Sequence, residues 1–170
     1  GANLRMTLDY RLQNYAMQRL GAESAAAVAI DVNSGDILAI SSAPSFDPNL
    51  FVRGISASDY RILTDNDHRP LADKTVQGAY PPGSVFKMVT SLAALEAGVI
   101  SPDETVYCPG FMQLGHRKFN CWKRGGHGHM HMTQSLEQSC DVYYYEIAQR
   151  VGIDRISEMA RRMGLGVKFD

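Results

Sequence analysis

A serine and a lysine three residues apart are the first residues whose types and spacing predict catalysis. Ser84 and Lys87 follow the sequence PPG and precede a long apolar run. Because proline is excluded from a helix interior, this pattern predicts a helix that begins directly before Ser84 and ends at Gly98. Residues at positions i and i+3 lie on one helix face, so the two side chains are expected to be neighbours.

The apolar run predicts that Lys87 is partly shielded from water. Apolar side chains are expected to cover most of the helix circumference; they are Val85, Phe86, Met88, Val89, Leu92, Ala93 and Leu95. Loss of solvation favours the neutral amine over the ammonium ion, and a neutral amine beside a hydroxyl can take its proton. The pair therefore predicts an activated serine nucleophile. The alternative is that Ser84 caps the helix and Lys87 extends to water.

A second pair of polar residues, Ser139 and Asp141, lies on either side of Cys140 and directly precedes an aromatic run. The surrounding pattern predicts a helical region over residues 133–150 that is broken near Ser139. Because successive side chains in a tight turn point in different directions, Ser139 and Asp141 are expected to face one way and Cys140 another.

The two motifs together resemble those of the penicillin-binding proteins, most closely the class B, elongation-type transpeptidases of the penicillin-binding protein 2 group. The sequences AVAIDVNSGDILAISSAPSFDPN, NDHRPL and GAYPPGSVFKM also resemble the first half of such a domain. The resemblance implies that Ser84 is the acylated nucleophile, Lys87 its base and Ser139 the relay that carries a proton to the leaving group. Asp141 stands where the family usually has asparagine, which leaves its contact with the substrate amide open.

The same resemblance implies an activity, partners and a location. The activity is a peptidoglycan D,D-transpeptidase that cross-links stem peptides through a serine acyl-enzyme, with β-lactam antibiotics as inhibitors. The implied partners are stem peptides, β-lactams and proteins of a cell-elongation complex. The full-length protein would be anchored in the inner membrane, with this part on the periplasmic face. A β-lactam sensor module, a β-lactamase and a non-catalytic structural fragment are the alternatives.

The third motif of the family, Lys-Thr-Gly or Lys-Ser-Gly, does not occur in the chain. In the family this motif lies on a later sheet strand and supplies one of the two backbone donors of the oxyanion hole. We therefore expect the chain to be a soluble fragment of a transpeptidase domain that is not active by itself. We also expect its first hairpin to lack sheet neighbours and to expose edges that can pair with another copy.

All three cysteines lie in one segment that is rich in glycine and histidine. Cys108, Cys121, His127 and Cys140 form a candidate Cys₃His set, which is a ligand combination of structural zinc sites. Flanking glycines give His127 the freedom to turn inward. Zinc would then hold the segment 101–131 against the element that carries the second catalytic motif.

Two other interpretations of the cysteines stay open. In the oxidising periplasm that the resemblance implies, Cys108 and Cys121 can form a disulfide and leave Cys140 as a buried thiol. All three can instead be unpaired core residues. The alternative nitrogen donors in the segment are His116, His129 and His131.

Length and composition fit one globular domain or a large part of one. The chain has 170 residues, of which 45% are apolar and 21% charged, with a net charge of −1. This balance gives no bulk electrostatic reason to expect binding to nucleic acid.

The remaining pattern predicts an α+β fold. A first helix, capped by Thr7 or Asp9, ends near Leu20 and is followed by a hairpin with strands over 25–31 and 37–42. Mainly helical structure follows, with an irregular excursion over 101–131 and a last helix over 154–163 that Asp154 caps. The expected architecture is a partial penicillin-binding, serine β-lactamase-like fold in which 1–45 supplies a helix and hairpin, and 46–170 is mainly helical.

Overall fold

The computed structural model describes residues 2–166, and its helices and antiparallel strand pairs confirm the predicted α+β class. Two compact units divide the chain, Gly1–Tyr80 and Pro81–Asp170. No helix within the described residues combines the length and the apolar content that a bilayer span requires.

The first unit contains three helices and one hairpin. Its elements in chain order are α1 (Tyr10–Leu20), β1 (Ala25–Ile30), β2 (Ile37–Ala43), α2 (Asn49–Val52) and α3 (Ala57–Thr64). Asp9 caps α1 by accepting hydrogen bonds from two backbone N–H groups of its first turn, as predicted. Within the described residues β1 and β2 pair only with each other, which confirms the hairpin; its pairing with another copy stays a prediction.

The second unit carries every residue that the sequence analysis assigned to a site. It opens with a 3₁₀ turn at Gly83–Val85 that leads into α4 (Phe86–Glu96). The elements that follow are β3 (Val106–Cys108), β4 (Phe111–Leu114), β5 (Arg117–Asn120), β6 (Gly128–Met130), α5 (Met132–Glu137), α6 (Asp141–Val151) and α7 (Ile153–Arg162). The predicted break near Ser139 is confirmed, since α5 and α6 are separated there.

The α4 helix is less buried than its sequence predicts. Its buried residues are Val89, Thr90, Ser91, Ala93 and Ala94. Four of the apolar residues expected to be buried are exposed in the structure; they are Val85, Met88, Leu92 and Leu95. The prediction that the helix is buried on most sides is therefore wrong for the described residues, because the four exposed side chains recur every three to four residues and form one uncovered stripe along the helix.

The core of the second unit lies between α4, α6 and the strands. Tyr143 and Ile147 on α6 are fully buried, and Tyr144 is nearly so. The Tyr144 hydroxyl lies 2.9 Å from Ser91 Oγ and 3.3 Å from Ser135 Oγ, which joins α4, α5 and α6 through one polar group. Because the hydrogen bonds satisfy these buried hydroxyls, they fix the three helices relative to one another.

The excursion over 101–131 is ordered, contrary to its prediction as irregular. β3 pairs antiparallel with β6, and β4 pairs antiparallel with β5. Each strand has only three or four residues, which is too short for an alternating apolar pattern to be recognised in sequence.

The last helix begins one residue earlier than predicted. Gly152, with φ 82°, is its N-cap, and Asp154 lies inside the first turn. Asp154 is therefore not the cap, although a carboxylate in the first turn still complements the helix dipole.

Two glycines allow a close approach of backbone segments beside the cysteines. A Cβ at Gly126 would collide with the carbonyl oxygen of Cys108, and one at Gly110 with the carbonyl oxygen of Arg124. Gly126 also has φ 78°, a conformation that side chains disfavour. Glycine at these positions therefore lets the segments around residues 108 and 126 lie side by side.

We predict that Gly126→Ala destabilises the second unit by about 3 kcal/mol, because backbone strain and overpacking add. Urea unfolding of the variant measures this loss. Gly125→Ala is the matched control, since a Cβ at Gly125 meets no atom within 4 Å. Equal stability of the two variants would show that the close approach is not required.

Candidate active site and metal centre

The Ser84 side chain lies in the 3₁₀ turn that leads into α4 and is exposed. Its Oγ accepts a hydrogen bond of 2.8 Å from the hydroxyl of Ser139. Backbone N–H groups at the start of a helix favour negative charge, so the position suits an oxygen that gains charge during a reaction. The serine is thus accessible and already hydrogen-bonded to a second hydroxyl.

The Lys87 amine is largely buried and fully hydrogen-bonded. Its side chain is 11% exposed, and Nζ donates to Ser139 Oγ at 2.9 Å, to the Ser139 carbonyl oxygen at 2.8 Å and to Asp141 Oδ1 at 2.8 Å. These three acceptors match the three N–H bonds of an ammonium group. The burial that the sequence predicts is therefore present, but the amine forms an ion pair with Asp141 that the sequence analysis did not foresee.

The contact between Lys87 and Ser84 runs through Ser139. The hydrogen bonds of the described residues include Lys87 to Ser139 and Ser139 to Ser84, and none that joins Lys87 to Ser84 directly. The spacing of three residues places Lys87 on the same face as Ser84. The hydroxyl of Ser139, however, lies between the two side chains. The structure thus forms a chain of three groups in place of the expected pair.

The turn at residues 138–140 sends its side chains in alternate directions, as the sequence analysis expected. Ser139 has φ 50°, a left-handed conformation that is uncommon for a residue with a side chain. Cys140 is the N-cap of α6 and is completely buried, whereas Ser139 and Asp141 contact the lysine. The left-handed residue therefore allows one turn to serve both the serine site and the cysteine cluster.

Both carboxylate oxygens of Asp141 are occupied. Oδ1 accepts from Lys87 Nζ, and Oδ2 accepts from the backbone N–H of Trp122 at 3.0 Å. In this arrangement Asp141 contacts the lysine and the neighbouring segment, so its oxygens are engaged before any substrate amide arrives.

The four predicted metal ligands come together in the structure. The ligand atoms of Cys108, Cys121, His127 and Cys140 all lie within 4.8 Å of one another. His127 Nδ1 lies 3.7 Å from Cys108 Sγ and 3.5 Å from Cys121 Sγ, and all three cysteines are free thiols. This Cys₃His cluster is able to hold a metal ion.

The other histidines considered as nitrogen donors do not join the cluster. His131 caps α5 by accepting from the backbone N–H of Gln134, and His129 stacks on Tyr107. The side chain of His116 is exposed in the turn between β4 and β5.

The electrostatic surroundings differ among the cluster residues. Burial raises the pKa of the Cys140 thiol to about 12. Burial also acts to raise the pKa of Cys121, but backbone N–H groups of Lys123 and of the first two residues of α6 outweigh it and lower that pKa. Burial lowers the pKa of His127, which favours the neutral imidazole that metal binding requires.

Trp122 is a residue of the site that the sequence motifs do not indicate. Its indole Nε1 donates to the carbonyl oxygens of Gln138 at 3.0 Å and Ser139 at 3.1 Å. Its position directly after Cys121 was the available signal, because a residue adjacent to a predicted ligand must lie close to the cluster.

Residues 25–170 match the family described as the penicillin binding protein transpeptidase domain. The chain is 42% identical over 168 residues to the peptidoglycan D,D-transpeptidase MrdA of Escherichia coli K12, covering 98% of this chain and 26% of MrdA. It therefore spans about a quarter of the length of this curated relative.

Solved structures show the same relationship. Penicillin-binding protein 2 of Helicobacter pylori, in complex with MreC, is 35% identical with a TM-score of 0.91, over 95% of this chain and 30% of that one. The penicillin G acyl-enzyme complex of penicillin-binding protein A from Mycobacterium tuberculosis is 28% identical with a TM-score of 0.84, over 95% of this chain and 40% of that one. The family match, the identities and the shared fold together show that this chain belongs to the penicillin-binding protein transpeptidase family.

Proposed function

We propose that the full-length protein containing this chain is a serine-type peptidoglycan D,D-transpeptidase. The observation that carries the proposal is the hydrogen-bonded chain from Lys87 Nζ through Ser139 Oγ to Ser84 Oγ, with distances of 2.9 and 2.8 Å. An exposed serine connected in this way to a buried amine has the arrangement of an activated nucleophile. We further propose that the chain is one part of a transpeptidase domain, to which 1–45 contributes a helix and hairpin, and 46–170 the mainly helical part.

In the first half of the reaction, Ser84 Oγ attacks the carbonyl carbon of the D-Ala–D-Ala bond in a stem peptide. The serine proton passes to Ser139 as the hydroxyl proton of Ser139 passes to Lys87, so the C–O bond forms without a free alkoxide. When the C–N bond breaks, the leaving D-Ala amine takes a proton from Ser139, which Lys87 replaces. An amine of a second stem peptide then attacks the acyl-enzyme carbonyl; as the C–N bond forms and the C–O bond to Ser84 breaks, the amine gives up a proton to the Lys87–Ser139 pair, and Ser84 Oγ takes a proton from Ser139.

Lys87 can accept the proton of Ser139 only as the neutral amine. Its Nζ also lies 2.8 Å from Asp141 Oδ1, a contact that holds the side chain beside Ser139. We further propose that the backbone N–H of Ser84 donates to the oxyanion that forms in the same step.

The relatives support the activity and its inhibitors. MrdA is named as a peptidoglycan D,D-transpeptidase, and the mycobacterial relative forms an acyl-enzyme with penicillin G. By analogy, we propose stem peptides as substrates and β-lactams as acylating inhibitors of this protein. The H. pylori complex with MreC supports the proposal of a protein partner. We propose that the partners are proteins of a cell-elongation complex and that the full-length protein acts at the periplasmic face of the inner membrane.

We predict that penicillin G adds one covalent adduct to the full-length protein, at Ser84. Intact-mass analysis and peptide mapping detect the adduct. Ser84→Ala is expected to abolish it, and Ser139→Ala to slow acylation roughly 100-fold because the proton relay is lost. Ser101→Ala, at an exposed serine outside the site, is the control and is expected to react normally. A wild-type protein that gains no adduct would overturn the proposed activity.

We also propose that the Cys₃His cluster binds a structural zinc ion. Thiolate and imidazole ligands in a set of four suit zinc; the three cysteines are buried, and His127 Nδ1 lies within 3.7 Å of the sulfurs of Cys108 and Cys121. Bound zinc would tie the β3–β6 strands to the N-terminus of α6, because Cys108 and Cys140 lie on these two elements.

We predict about one zinc ion per chain by elemental analysis of protein purified without added metal. Removal by a chelator is expected to lower the melting temperature by about 10 °C, because binding energy contributes to folding. Cys121→Ser is expected to lose the metal and His129→Ala, at the exposed neighbouring histidine, to keep it. Metal-free protein with a disulfide between Cys108 and Cys121 in peptide maps would contradict the assignment.

A further inference from the structure

Trp122 contacts the second catalytic motif at three points. Its indole Nε1 donates to the carbonyl oxygens of Gln138 and Ser139, and its backbone N–H donates to Asp141 Oδ2. Its side chain is 63% exposed, so burial of the ring does not account for its position. The polar contacts are therefore what hold the indole against this turn.

The backbone at Ser139 has an unfavourable conformation that contacts from neighbouring residues must stabilise. Ser139 has φ 50°, and a residue with a Cβ occupies that conformation only when its surroundings hold it there. Its carbonyl oxygen accepts from two donors, Lys87 Nζ at 2.8 Å and Trp122 Nε1 at 3.1 Å. The backbone conformation that directs this carbonyl to its two donors also sets the position of the Ser139 Cβ, from which Oγ donates to Ser84 at 2.8 Å.

Trp122 is itself held by the cysteine cluster. The preceding residue, Cys121, is buried, and its backbone N–H donates to the carbonyl oxygen of Gly110 at 2.8 Å. The indole ring packs edge-on against His127, with ring centroids 5.3 Å apart. The tryptophan therefore connects the cysteine cluster on one side to the left-handed turn at Ser139 on the other.

We propose that Trp122 is a positioning residue for acylation, which acts by fixing the backbone of Ser139 so that its hydroxyl stays on Ser84. The inference rests on the proposed transpeptidase function. Without the indole donor, Lys87 is the sole remaining donor to the Ser139 carbonyl among the described contacts, and the turn is free to relax from its left-handed conformation. The fraction of molecules with Ser139 Oγ on Ser84 then falls.

The main test variant replaces the indole N–H and keeps the shape of the ring. Incorporation of β-(benzothiophen-3-yl)alanine at position 122 of the full-length protein exchanges the N–H for sulfur, and Trp122→Phe is the genetically simpler variant. Stopped-flow acylation by a chromogenic β-lactam separates the acylation rate constant from the affinity of the initial complex. We expect both variants to lower the rate constant roughly tenfold, as loss of one hydrogen bond predicts, with little change in initial affinity.

Two control variants, with measurements of stability and bound metal, distinguish a positioning role from a general loss of structure. 5-Fluorotryptophan at position 122 keeps the N–H donor and is expected to acylate at the wild-type rate. Tyr107→Phe removes a polar group from another exposed aromatic side chain and is expected to have no effect on the rate. Melting temperature and bound metal, measured for each variant, are expected to match the wild type, because the buried ligands are untouched.

The outcomes for the positioning role and for the proposed function are distinguishable. Unchanged acylation by the benzothiophene variant, in a protein whose wild type is acylated at Ser84, would overturn the positioning role alone. Loss of rate together with loss of metal and stability in both the benzothiophene and the fluorotryptophan variants would also overturn it, by showing a structural role. Absence of acylation in the wild type would instead overturn the proposed function.

Discussion

The three hydrogen bonds of the Lys87 amine are the interaction on which the rest of the site depends. An amine that is only 11% exposed needs acceptors, because a buried and unpaired ammonium group is strongly destabilising. All of its acceptors belong to Ser139 and Asp141, so these hydrogen bonds hold α4 to the start of α6 at the serine site. The group that organises the fold locally is therefore also the group that the proposed chemistry uses.

The turn before α6 contributes to both the serine site and the cysteine cluster. Cys140 points into the cysteine cluster, while its neighbours on both sides contact Lys87. Burial acts to raise the pKa of the Cys121 thiol, but the backbone N–H groups of Lys123 and of the start of α6 outweigh it and lower that pKa. The turn therefore contributes to the cysteine cluster on one side and presents the Ser139 hydroxyl to the nucleophile on the other.

The aspartate at position 141, where the family usually has asparagine, has a physical explanation in this arrangement. Its two oxygens each accept a hydrogen bond, one from Lys87 and one from the backbone of Trp122. An asparagine has only one acceptor oxygen, and its NH₂ group would face one of these two donors. The carboxylate therefore satisfies two donors at once and adds the charge that the lysine requires.

The sequence by itself determined the local elements and the identity of the reactive groups. Proline and glycine placed the start of helical structure beside Ser84, and the clustering of cysteine with histidine indicated a ligand set, because these signals depend on neighbouring residues alone. Only the tertiary structure decided that Ser139 stands between Ser84 and Lys87, that Asp141 pairs with the lysine and that strands order the excursion. The contacts of Ser139 and Asp141 with α4 and the turn before it join residues more than fifty positions apart, and their direction depends on the left-handed backbone at Ser139, which no local pattern specifies.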